Sequence, residues 1–130
     1  MRALHRLVLP MMLLAAACST GTEASGIYGA WRLVEVRGDP APNHVVGEIL
    51  QLTPDARAIY QGEGVKARQV PFEAFRGLIN YPERGGQAAG LLLTLQDEPV
   101  TFEVRMPTRS TLILVPNDIY GPTLTYRRAR

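Results

Sequence analysis

The chain has 130 residues, with fourteen basic and twelve acidic side chains, one cysteine and one tryptophan. That length supports one domain, and a lone cysteine excludes an internal disulfide. A formal net charge of +2 is too small an excess for a nucleic-acid-binding surface, so no nucleic acid is expected as a partner.

Residues 1–17 read as a signal peptide. Arg2, His5 and Arg6 give a basic start, and residues 7–17 (LVLPMMLLAAA) form a continuous apolar run of eleven residues. A membrane-spanning helix needs roughly 20 residues. Pro10 inside the run also argues against a permanent helix. The run ends in Ala15-Ala16-Ala17-Cys18, small residues before a cysteine, which resembles the bacterial lipoprotein signal. That resemblance implies cleavage before Cys18 and acylation of its thiol, so membrane lipid is the first expected partner. Ala15 departs from the leucine usual three places before that cysteine, and an ordinary secretory signal is the alternative. Loss of Arg2 and Arg6 with the signal leaves twelve basic against twelve acidic residues, a mature net charge near zero.

Residues 18–26 hold the cysteine and a flexible tether. Residues 19–26 (STGTEASG) carry no apolar side chain larger than alanine and reach about 26 Å when extended. Ser19 directly after the cysteine implies, by the same resemblance, a cell-envelope protein. In a Gram-negative organism it would be anchored in the outer membrane and face the periplasm.

The domain is expected over residues 27–130. Strands are predicted at 27–37, 48–53, 57–61, 65–70, 77–81, 91–96, 100–106, 111–115 and 123–128. Residues 71–75 read as a turn or a single helical turn. The intervening stretches carry turn chemistry: GDPAPNHVVG at 38–47, Pro54-Asp55-Ala56, PERGG at 82–86, Asp97-Glu98-Pro99 and PNDIYGP at 116–122. Val100, Phe102, Val104 and Met106 alternate with Thr101, Glu103 and Arg105, which marks a strand with one buried side. Eight or nine short strands with short sequential connections predict an all-β fold, a small antiparallel up-and-down β-barrel of about eight strands. The inward positions read as Leu50, Leu52, Leu91, Leu93, Leu95, Val100, Phe102, Val104, Met106, Leu112 and Leu114. Leu33-Val34 breaks the alternation of the first strand.

Gly29-Ala30-Trp31 at the start of the first strand, followed by such a meander, resembles the lipocalins and, more closely, bacterial lipocalin-like lipoproteins. The resemblance implies that Trp31 packs across one end of the barrel under a basic residue of the last strand, Arg127 or Arg128. Gly29 would admit the close turn of the chain. The motif is structural and carries no chemistry. The alternative is that Trp31 is a core residue of another β domain and that Arg127, Arg128 and Arg130 are a solvated chain end.

Catalytic signals are weak. His44 is the only histidine outside the signal. It sits in a proline-rich loop without a nucleophile motif and reads as a solvated loop residue. Asp97-Glu98 reads as a solvated hairpin turn, and Gly62-Glu63-Gly64 and Gly85-Gly86 as turn glycines. No His/Cys cluster has metal-ligand spacing. The expectation is a protein that is not an enzyme and needs no cofactor. Its leading role, implied by the lipocalin resemblance, is binding of a small apolar ligand by Leu93, Leu95, Val100, Phe102, Val104 and Met106. The competing role is a filled-core barrel that engages an envelope protein, as an assembly factor or an enzyme inhibitor, through its loops at 38–47 and 82–89.

Overall fold

The computed structural model describes residues 24–38, 44–81, 86–96, 100–117 and 121–129. The signal segment, Cys18 and most of the expected tether lie outside them, as do Asp97-Glu98 and Arg130. Eight antiparallel strands follow one another round a closed barrel. They are β1 (Gly29–Gly38), β2 (Ile49–Leu52), β3 (Arg57–Gln61), β4 (Arg68–Tyr81), β5 (Gly86–Leu95), β6 (Thr101–Thr108), β7 (Thr111–Pro116) and β8 (Pro122–Arg128). β1 pairs with β8 from Trp31↔Arg128 to Gly38↔Pro122, which removes the sheet edge there.

The strands form where β-branched and aromatic residues alternate with polar ones. Their inward side chains make one core cluster that includes Trp31, Leu33, Tyr60, Phe102 and Tyr126. The broken alternation at Leu33-Val34 has a cause. The β1–β8 register shifts between Leu33 and Glu35, so Trp31 and Leu33 point inward, Val34 is exposed, and Val36 returns to the core side. One extra residue in a bulge restores the phase.

Three expectations need correction. Residues 71–75 are neither a turn nor a helical turn. They continue the expected strand at 65–70 into the fourteen-residue β4. Pro71 is tolerated because its carbonyl accepts the Gln96 N–H at 3.0 Å, so its nitrogen faces the side where β5 has already ended. The first strand begins at Gly29, since Ala24–Ile27 form a 3-10 turn, and the end of the expected tether is therefore structured. Gly86 to Ala89, expected as a loop edge, belong to β5 and pair with β4.

The barrel is uneven. β3 pairs with β4 only from Tyr60↔Arg68 to Arg57↔Pro71. β4 then runs on against β5 from Phe72↔Leu95 to Tyr81↔Gly86, whereas β5 meets β6 only at Leu92–Thr94. The β4–β5 hairpin thus overhangs the end of the barrel where β1 begins, called the base below. The opposite end, with the β1–β2 loop, is the mouth.

Candidate functional site

At the base, the 3-10 turn folds under the barrel and Ile27 is fully buried. The Trp31 indole Nε1–H donates to the Ile27 carbonyl at 2.8 Å. The Arg128 guanidinium carbon lies 3.8 Å above the indole ring. Its Nη1 donates to the Tyr28 carbonyl at 2.8 Å, and Nη2 to the carbonyls of Gly26 at 3.3 Å and Arg109 at 3.1 Å. A Cβ at Gly29 would stand 2.7 Å from Arg128 Nη1, and Gly29 has φ +126°. Glycine is therefore required twice over, for space and for backbone. Arg128, not Arg127, covers the tryptophan. Arg127 lies opposite Arg32 in the sheet and is exposed. The reading of Arg128 as part of a solvated chain end is corrected accordingly.

Of the residues expected to line a cavity, Leu93, Leu95, Phe102 and Val104 are buried in the core, with Val100 and Met106 packed against it partly buried. Bulky fully buried side chains fill the same space, among them Trp31, Tyr60, Tyr126, Phe102 and Leu50. An eight-stranded barrel is just wide enough for its side chains or for one small ligand.

A cleft of about 490 Å³ opens in the barrel wall where β4 leaves β3. Its walls are Ala24 and Tyr28 from the base, Pro54 and Ala56 from the β2–β3 turn, and Phe72, Glu73, Ala74, Thr94 and Gln96 from β4 and the end of β5. The cleft is half apolar and in the size range of a small-molecule site.

The mouth holds a polar cluster. His44 is not a solvated loop residue. Its side chain and that of Glu48 are both fully buried, with Nδ1 and Oε2 3.5 Å apart. Glu48 Oε1 accepts the Val45 N–H at 2.8 Å, and the Glu48 N–H donates to the Val45 carbonyl at 2.9 Å. Gly47 N–H donates to Leu33 O at 2.7 Å, and Leu33 N–H donates to Glu48 O at 2.9 Å. The carboxylate thus closes the β1–β2 turn on itself, and the backbone bonds to Leu33 fix the turn to β1. Below it, the Tyr60 ring lies 6.4 Å from the imidazole, centroid to centroid, and Arg68 stacks on that ring at 3.7 Å. The turn presents Val45 and Val46, which are 42% and 60% exposed.

Sequence reasoning missed Glu48. The signal was its spacing: Glu48, Leu50 and Leu52 share one face of a strand, so the carboxylate had to point inward. Among the described residues, no group of three or more His, Cys, Asp or Glu is placed to hold a metal ion. The cluster holds a backbone turn, since the Glu48 carboxylate takes the Val45 N–H inside the turn and backbone bonds join the turn to Leu33. Comparison with family models, curated proteins and solved structures finds no match to this chain.

Proposed function

We propose that this chain is a lipid-anchored envelope protein whose barrel has a filled interior and which engages a protein partner through the loop at its mouth. The observation that carries this reading is the occupancy of the inward positions. The side chains expected to line a cavity belong to the same cluster as Trp31, Tyr60 and Tyr126, while the base is shut by Arg128 and the mouth by His44 and Glu48. What remains for recognition is the surface, and the turn clamped by Glu48 offers two exposed valines on a fixed backbone. A rigid apolar contact loses little freedom on binding.

Native mass spectrometry of the mature protein tests the filled interior. The expected spectrum has the mass of the acylated polypeptide alone. A reproducible additional mass, lost on denaturation, overturns it. The anchor has its own test: Cys18→Ala is expected to release the protein from membranes and to abolish fatty-acid labelling. Continued labelling of that variant would exclude acylation at Cys18.

A second reading keeps the small apolar ligand and is favoured by the 490 Å³ cleft. In that reading the ligand lies against Tyr28, Phe72 and Ala74, in the wall and not among the core side chains. Ala74→Trp would then block binding while Val104→Trp would not.

A further inference from the structure

The geometry points to the β4–β5 hairpin as a membrane contact, a wedge that seats the base of the barrel on a lipid surface bearing anionic headgroups. The inference rests on the reading of Cys18 as the lipid anchor.

The first observation is the exposure of apolar side chains along the overhang. Phe72, Ala74, Arg76 and Leu78 share the face of β4 whose partners in β5 are Leu95, Leu93, Leu91 and Ala89. Near the barrel that face is core. Beyond the rim it is open, and Leu78 is 63% exposed. On the opposite face Phe75 is 37% exposed. Residues 77–81 and 86–91 carry no charged side chain, and Glu83 and Arg84, between them in sequence, lie outside the described residues.

The second observation is that the overhang is built stiff. A Cβ at Gly90 would stand 2.3 Å from Ile79 Cδ1, and one at Gly77 would stand 2.6 Å from Leu92 Cδ1. Each large side chain therefore lies across a glycine of the neighbouring strand, and Ile79 and Leu92 are buried on what is otherwise the outer face. A two-stranded hairpin leaving a sheet is marginal in water. This diagonal packing gives it a small core of its own.

The third observation is where the chain leads. Ala24 lines the same cleft as Ala74, so the segment toward Cys18 departs beside the root of the hairpin. The six residues from Cys18 to Ala24 span at most about 20 Å. From Ala74 to Tyr81 the hairpin extends about 23 Å. A barrel held by so short a link and facing the membrane base-first brings the hairpin to the lipid before the other described strands. The charge agrees. Exposed Arg76, Arg109 and Arg127 lie toward this end, against exposed Glu73 and an Asp55 paired with Arg57 at 3.3 Å. Anionic headgroups attract such a surface. Among the described residues the hairpin has no strand neighbour beyond its short ladders, so its depth is interfacial, where water still satisfies the backbone.

The test uses the full chain purified from membranes, with Leu78→Cys or, at the mouth, Val46→Cys. An acylated Cys18 leaves the introduced thiol as the sole labelling site for an environment-sensitive fluorophore. The probe surface is vesicles of phosphatidylcholine with phosphatidylglycerol. The label at position 78 is expected to shift to the blue, and acyl-chain nitroxides are expected to quench it roughly twofold or more above the label at position 46. Water-like emission at 78 with vesicles present overturns the inference. So does a blue shift at 78 that needs no vesicles and grows with protein concentration, which would assign the hairpin to a second copy. Intact mass keeps the two readings apart. Absence of the diacylglycerol sinks the anchor alone, and the Cys18→Ser form of each variant then reports on the hairpin by the same two criteria with added vesicles.

Discussion

At the base of the barrel one arginine spans three backbone carbonyls and an indole face, while at the mouth a buried carboxylate and an imidazole hold a turn. The base joins the first strand, the last strand and the turn at Arg109 through one planar guanidinium with several donors. The mouth uses two fully buried side chains, His44 and Glu48, 3.5 Å apart in one turn. The difference teaches which end is scaffold. Base chemistry is fixed and its geometry is over-determined. Mouth chemistry holds a loop whose outer residues are exposed and free to be changed.

The comparison can be broken most severely at the base. Trp31→Ala should cost about 4 kcal/mol, the usual loss for a large buried aromatic, and should also strand Arg128. Chemical denaturation would read this loss. At the mouth, Glu48→Ala should cost about 3 kcal/mol, because it removes the acceptor for the Val45 N–H and leaves His44 buried beside a void. Glu48→Gln, which keeps an acceptor oxygen, should recover most of that loss. A Gln variant as unstable as the Ala variant would show that the charge, not the hydrogen bond, holds the turn. Between the two ends, Val104→Trp should cost about 2 kcal/mol by overpacking if the interior is filled. Arg128→Lys should cost about 1 kcal/mol. Lysine keeps the charge but loses the planar fork and the stacking on Trp31, and a double-mutant cycle with Trp31→Phe would isolate the stacking.

The smallest effect belongs to the β2–β3 turn. The Thr53 hydroxyl donates to the exposed Asp55 carboxylate and holds its pKa below the ordinary 3.8, with Arg57 adding to the effect. A depressed folded-state value means that the unfolded chain binds the proton more readily. The stabilisation is therefore present above pH 3.8 and fades as pH falls below it. Asp55→Asn should flatten that part of the melting profile slightly and leave the neutral-pH melting temperature almost unchanged.

Much of the barrel was legible because its strands obey a period of two. Leu50 and Leu52, Leu91, Leu93 and Leu95, and Leu112 and Leu114 announce their inward face by spacing alone. The long β4 was hidden by Pro71, a residue that breaks most ladders. It survives here only because β5 ends beside it, a tertiary fact that no local pattern contains. The base site was half legible. Gly29 and Trp31 stood out, but the choice between Arg127 and Arg128 depends on which way the last strand faces. The mouth was obscured for a different reason. A histidine in a proline-rich loop reads as solvated until the carboxylate four residues on is seen to share its burial. The paired glycines at positions 77 and 90 gave no signal, because their meaning lies in the register that sets them opposite each other.

The seam between β1 and β8 ties residue 31 to residue 128, nearly the whole length of the domain. Such a closure has a high contact order, and its loop entropy must be met before the contact rewards it. The barrel therefore cannot shut while β8 is still being synthesised. Removal of as little as the last strand would leave both the seam and the tryptophan end open. A chain with this wiring stays open until β8 arrives, and then commits.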